Sequence, residues 1–403
     1  MKISSRLMKI KPSPTLAVTA LANSLKAKGI DVIGFGSGEP DFDTPDFIKD
    51  AAIKAIRDGR TKYTPAGGII ELKQAVADKF ARDNNLNYST SEITINCGGK
   101  HSFYNLMQVL LDPGDEVIIP SPYWVSYPSM VLLAGGEPVI VETGEDTGFK
   151  LYPDQLRQAI TPRTRAFLIN SPSNPTGAAY SESELAALCE VLADTDISII
   201  SDDIYESITY DDFKFTNTAN LSDDMKNRTF VLNGVSKTYS MTGWRIGYMA
   251  GDESVIKKVE TLQSQSTSNP ASISQWASVA ALTGDQDCIN EMTGAFTRRR
   301  KLIVNSLNSI PGINCLNPAG AFYAFPGISG VYDLKGWKAV SDKYEGEHNS
   351  SIFTSYLLEE ARVAVVPGVA FGSDNHVRLS FATSDENIRE GIKRIGEAVQ
   401  KLQ

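Results

Sequence analysis

The chain has 403 residues, 42% hydrophobic and 22% charged, the balance of a soluble globular protein long enough for two or three domains. A net charge of −9 disfavours nucleic acid and anionic membrane as partners, though not a small anion held in a local basic pocket. Cys97, Cys189, Cys288 and Cys315 are scattered without a CxxC pair and read as free thiols of a reducing cytoplasm, and the three histidines stand apart from them, so no metal site is expected.

In chain order, residues 1–15 are basic and proline-bearing and read as an arm. The apolar run LAVTALA (16–22) is short, contains a threonine and follows Pro12 and Pro14, which argues against a signal peptide, and no run approaches a membrane span. A helix is expected to open at Thr44-Pro45, threonine as N-cap and proline at the first helical position, and to stop at Gly59. Short apolar runs and amphipathic stretches then alternate. Strands are expected at EITINC (92–97), EVIIP (116–120), PVIVE (138–142), RAFLIN (165–170), ISIISDD (197–203), FVLNG (230–234) and WRIGYMA (244–250). Helices are expected at 101–111, 124–136 despite Pro128, and 182–193. Near-continuous Val/Ile/Leu strands alternating with helices imply an α/β domain with a mostly parallel sheet covered on both faces. After about residue 285 the texture becomes α+β: a charged helix through TRRRKLIVNSLNSI, strand-like AFYAFP (321–326), VAVVPG (363–368) and HVRLSFA (376–382), and a final helix from about 384.

Two nucleotide motifs fail. GFGSGEP (34–40) runs into Glu-Pro rather than a helix, and Gly99-Lys100 lacks the spacing of a P-loop. Cys97-Gly-Gly-Lys100 nevertheless follows a strand and opens a helix, where backbone N–H groups can hold an anion or simply make a tight turn. Asn174, in SPSNPTG (171–177), and Asp202-Asp203 both sit at probable carboxyl ends of buried strands, where open α/β sheets place ligands. Strand alternation sends the two aspartates to opposite sides. Lys237 also follows a strand. A free lysine is protonated at neutral pH, and becomes chemically useful when burial lowers its pKa or when it bonds a carbonyl. A lysine holding pyridoxal phosphate needs a carboxylate for the ring nitrogen, donors for the phenolic oxygen and an anion site. Asp202, then Tyr205 and Asn174, then the Gly98-Gly99-Lys100 turn with Arg245, supply that set.

The run GVSKTYSMTGWRIG (234–247) resembles the pyridoxal-phosphate attachment signature of class I aminotransferases. The likeness covers essentially the whole chain through GEPDFDTP (38–45), KYTPAGG (62–68), SPYWVSYP (121–128), NSPSNPTG (170–177), DDIYE (202–206), GAFY (320–323) and VRLSFATS (377–384), and is nearest the prokaryotic aspartate aminotransferase branch, some of whose members also use prephenate.

The resemblance implies the type I fold of pyridoxal-phosphate enzymes, with an arm (1–15), a large domain (46–285) and a smaller one (16–45 with 286–403). It implies Lys237 as cofactor attachment and proton shuttle, Asp202 on the ring nitrogen, Tyr205 and Asn174 on the phenolic oxygen, and Trp124 stacked on the ring. The phosphate falls to Gly99, Lys100, Ser236 and Arg245, with Tyr63 reaching it from a second subunit of a homodimer with shared active sites. Arg378, beside Gly38, takes the substrate α-carboxylate. The stretch QSQSTSNPASISQ (263–275) lacks the arginine that animal-type enzymes use for the distal carboxylate; Lys100, Ser13 and Thr15 fit that task, and Lys11 a second carboxylate on prephenate. The implied reaction is L-aspartate plus 2-oxoglutarate to oxaloacetate plus L-glutamate by ping-pong kinetics in the cytoplasm. The alternatives are aromatic or kynurenine-type substrates, a lyase on the same fold, or a cofactor-sensing regulator, for whose DNA-binding domain no residues remain.

Overall fold

The computed structural model describes residues 3–12, 14–344 and 346–403. Seven strands form the central sheet: β1 (Ile93–Asn96), β2 (Glu116–Ser121), β3 (Glu137–Glu142), β4 (Thr164–Asn170), β5 (Ser198–Asp202), β6 (Thr229–Gly234) and β7 (Gly247–Ala250). Their order is β1-β7-β6-β5-β4-β2-β3, with β7 antiparallel to both neighbours and every other pair parallel. The six mutually parallel strands therefore end on one edge.

The sheet is mostly parallel because both its faces are covered. Along β2, β4 and β6 successive apolar side chains enter different cores. Val117, Ile119, Leu168 and Leu232 pack under the helix Gly99–Leu110. Ile118, Phe167 and Ile169 face the helix Glu182–Leu192, and Val231 faces the helices Ile70–Asn84 and Ser272–Thr283. A further core joins the helices Asp287–Leu307 and Asp385–Gln400 to Phe322, Leu379 and Phe381. There Val377–Ser380 pairs antiparallel with Tyr323–Ala324 and with Val366–Pro367. The loop from residue 36 to 44 crosses between these cores, and Asp41 takes a forked pair of hydrogen bonds from Arg299 at 2.8 and 2.9 Å.

Two local expectations are corrected. The helix after the loop spans Asp46–Arg57 with Pro45, not Thr44, at its N-cap. The Thr44 hydroxyl is engaged elsewhere, donating to the Ser240 carbonyl at 2.8 Å and accepting from Trp244 Nε1 at 2.9 Å. The expected strand 244–250 is only its last four residues: Thr242–Trp244 make a single 3-10 turn and Arg245 is left-handed, φ 56°. That kink lets β7 press against the turn after β1, and a Cβ on Gly247 would lie 2.3 Å from the Gly99 nitrogen.

Gly247→Ala is therefore expected to lower stability by about 1–3 kcal/mol, as overpacking does, whereas Gly243→Ala, with nothing within 4 Å of its added Cβ, stays within about 0.5 kcal/mol of the parent. Urea unfolding of the two variants checks the contrast.

Candidate active site

A cavity of about 370 Å³ opens where the parallel strands end, a volume suited to a small organic ligand. Five of the six parallel strand ends deliver a group to it: Gly99 and Lys100 after β1, Trp124 after β2, Asn174 after β4, Asp202 and Tyr205 at and after β5, Ser236 and Lys237 after β6. Arg245 enters just before β7, Gly38 from the crossing loop, and Arg378 from the strand Val377–Ser380.

Lys237 Nζ donates to the Gly38 carbonyl. Burial pushes its pKa down to about 8; Glu39 opposes the shift and Arg378 and Arg245 add to it. Asp202 is held by two donors: Tyr127 Oη gives to Oδ2 at 2.5 Å and the Ile204 N–H to Oδ1 at 3.3 Å. Burial raises the Asp202 pKa, and the Tyr127 hydrogen bond, the Ile204 N–H and the nearby Lys237 lower it. Asp203 points away to Ser201 and Asn217, as strand alternation requires.

At one end, Gly98 is left-handed (φ 94°) and the helix Gly99–Leu110 begins at the cavity. Arg245 reaches over this turn, Nη1 donating to the Thr242 carbonyl at 2.6 Å and Nη2 to the Cys97 carbonyl at 3.3 Å. The φ of 94° calls for glycine at 98, and a Cβ there would also meet Arg245 Nη2 at 2.2 Å. A helix N-terminus, a close backbone approach and a guanidinium together make an anion cradle.

At the other end Arg378 is buried between the rings of Tyr323 (4.5 Å) and Phe371 (5.0 Å). It gives Nη1 to Asn174 Oδ1 and Nη2 to the Gly36 carbonyl, both at 2.9 Å, while Nε has no partner. Among the described residues no carboxylate pairs with it. Burial lowers its pKa. Lys100 Nζ lies 4.9 Å above the Trp124 ring, and burial, then Arg245, lowers its pKa.

The structure thus gathers Lys237, Asp202, Tyr205, Asn174, Gly99, Lys100, Trp124, Ser236, Arg245, Gly38, Arg378 and Thr15 around one cavity. It does not bring Tyr63 or Lys11 there; Tyr63 is 91% exposed and Lys11 is exposed. Ser13 lies outside the described residues. Sequence reasoning missed Tyr127, Asn170 and Tyr323. Asn170 Nδ2 donates to the Asp202 carbonyl and its Oδ1 accepts from the Asn174 N–H, both at 2.9 Å, tying two strand ends together. Its polarity at the end of RAFLIN was the available signal.

A sequence profile described as "Aminotransferase class I and II" matches residues 30–395. The chain belongs to this aminotransferase family. It is 55% identical over 397 residues, 98% of this chain and 99% of the relative, to an aspartate/prephenate aminotransferase of Nitrosomonas europaea. It is 51% identical over 401 residues, 100% of both chains, to an aspartate aminotransferase of Bacillus subtilis. Among solved structures, an aspartate aminotransferase from Rhizobium meliloti superposes with a TM-score of 0.94 at 48% identity, covering 100% of both chains. One from Thermus thermophilus with maleate gives 0.91 at 42%, covering 99% of this chain and 100% of that one. The aminotransferase accordingly has the type I fold of pyridoxal-phosphate enzymes.

In the protein without a ligand bound, amine-selective labelling of Lys237 is expected to titrate with a midpoint near pH 8. Glu39→Gln is expected to move that midpoint down, because it removes a negative charge that favours the ammonium. A midpoint near the ordinary lysine value of about 10.4 would contradict the burial of this amine.

Proposed function

We propose that the protein is an aspartate aminotransferase that carries pyridoxal 5'-phosphate on Lys237 and moves an amino group between L-aspartate and 2-oxoglutarate by ping-pong kinetics. The observation that carries this reading is one cavity walled by an amine of lowered basicity, a half-buried carboxylate, an anion cradle and a buried guanidinium that no carboxylate pairs with among the described residues. The residues fit the cofactor: the Gly98–Gly99 turn opens a helix at the cavity, and Gly98, whose added Cβ would meet Arg245 Nη2 at 2.2 Å, lets Arg245 lie against it. Bound pyridoxal phosphate supplies an electron sink for the charge that develops at the substrate Cα.

The chain's own groups do the rest. Arg245, Ser236 and the N–H groups of Gly99 and Lys100 hold the phosphate. Asp202, oriented by Tyr127, keeps a proton on the ring nitrogen; Tyr205 and Asn174 donate to the phenolic oxygen; Trp124 covers the ring face. Arg378 takes the α-carboxylate in a forked pair, beside the Gly38 backbone. Lys237 Nζ, partly neutral near pH 8, would take the Cα proton and return it to the cofactor's C4′ carbon, on the far side of the bridging nitrogen.

Lys100 and Thr15, which both line the cavity, suit the distal carboxylate of a dicarboxylic substrate. The relative named for aspartate and prephenate supports prephenate as a further acceptor, with Lys11 toward its second carboxylate. The exposed Tyr63, with Ile53, Ile56 and Ile70 also exposed, supports a homodimer in which Tyr63 reaches the partner's phosphate site. The reading keeps the arm (1–15), large domain (46–285) and small domain (16–45 with 286–403), and a cytoplasmic location. It is supported by the separate core built on the helices Asp287–Leu307 and Asp385–Gln400.

Borohydride treatment of the coloured enzyme is expected to fix the cofactor on Lys237, read by peptide mass; attachment elsewhere, or none, sinks the reading. Lys100→Ala is expected to raise KM for aspartate by roughly 10- to 100-fold, the weight of one charge-assisted hydrogen bond, and to leave an aromatic donor nearly unaffected. Equal effects on both donors would restrict Lys100 to the phosphate.

A further inference from the structure

The Tyr323 side chain lies between the two ends of the cavity. Its hydroxyl is 2.7 Å from the Tyr205 hydroxyl, and its ring faces the Arg378 guanidinium at 4.5 Å. Both phenols are buried. Tyr323 and Arg378 are carried by paired strands, with Tyr323 opposite Ser380 and Ala324 opposite Leu379. The position is therefore set by backbone register, not by a mobile loop.

A phenol has one proton to give. If Tyr205 donates into the cavity, its own oxygen is free to accept, and Tyr323 is the hydroxyl within reach. Two routes then lead from Arg378 to the two donors of one cofactor atom. One runs through Nη1 to Asn174 Oδ1; the other runs through the Tyr323 ring and hydroxyl to Tyr205.

Resting on the pyridoxal-phosphate reading above, we infer that Tyr323 is a positioning residue. Its hydroxyl donates to Tyr205 and strengthens the hydrogen bond that Tyr205 makes to the cofactor's phenolic oxygen, while its ring seats Arg378 for the substrate carboxylate. Chained hydrogen bonds in a low-dielectric site polarise one another. A stronger donor on the phenolic oxygen weakens that oxygen's hold on the proton it shares with the Lys237 nitrogen. The charged groups facing the phenol pair are Arg378, Glu39 and Asp202, with Lys237 on the same cavity wall, and all remain when the Tyr323 hydroxyl is removed.

The test uses holoenzyme carrying Tyr323→Phe or Tyr323→Leu beside the wild type. It reads the pH midpoint of the visible cofactor band and the dissociation constant of succinate, an unreactive dicarboxylate. Tyr323→Phe is expected to raise the midpoint by about 0.5 pH unit, the order of one net hydrogen bond, and to leave succinate affinity within about twofold, because the ring stays over Arg378. Tyr323→Leu is expected to raise the midpoint equally and to weaken succinate roughly tenfold more. A wild-type midpoint in Tyr323→Phe overturns the hydroxyl's part, and equal succinate affinity in the two variants overturns the ring's part. A wild type without a titrating visible band overturns the cofactor reading instead, and so is told apart from failure of this inference.

Discussion

The site is organised around a buried cation, Arg378, that no carboxylate pairs with among the described residues. Arg378 is nearly fully enclosed, yet its hydrogen bonds go to two neutral acceptors, Asn174 Oδ1 and the Gly36 carbonyl, and one nitrogen has none. A buried charge without a counter-charge is normally too costly to keep. Guanidinium can be kept because its charge is spread over a plane that two aromatic faces, Tyr323 and Phe371, cover. The uncompensated part of that charge is an affinity for a carboxylate. The elements that hold Arg378 in place (the crossing loop at Gly36, the turn at Asn174 and the strand bearing Tyr323) are the same ones that form the cavity.

The sheet solves a second problem, how to put several polar groups close together. Six parallel strands end on one edge, and all of them but the edge strand β3 contribute a residue to the cavity at or after the point where the apolar run stops. Neighbouring carboxylates are separated by the strand's two-residue period: Asp202 faces the cavity under Tyr127, while Asp203 is turned to Ser201 and Asn217. Behind them Glu206 is neutralised by Lys79 and hydrogen-bonded by Asn84 and Asn233. The acids behind the site are thus paired or hydrogen-bonded, while burial, with Arg378 and Arg245 adding to it, pushes the Lys237 pKa down to about 8.

Much of this was legible in the sequence because it is local. Buried parallel strands announce themselves as Val/Ile/Leu runs, and the residue that follows each run is where a ligand is met. The turn Gly98-Gly99 and the kink at Arg245 were legible as composition but not as shape. Arg245 was expected in a strand, and it is left-handed because β7 must touch Gly99. Thr44 had the right residue type for a cap but is taken by Ser240 and Trp244, partners some 200 positions away. The same long range hid Tyr127, which meets Asp202 across 75 positions, and Tyr323, which meets Tyr205 across 118. Neither pairing leaves a spacing that periodicity could reveal.

The central claim is that Arg378 and Lys100, lining one cavity, together select dicarboxylic amino acids for amino-group transfer. A steady-state panel tests it most directly, with aspartate, glutamate, an aromatic amino acid and kynurenine as donors and prephenate among the acceptors. The account predicts kcat/KM for aspartate and glutamate above the other donors by roughly 10- to 100-fold, the weight of one charge-assisted hydrogen bond. An aromatic donor that matches or exceeds aspartate would contradict it.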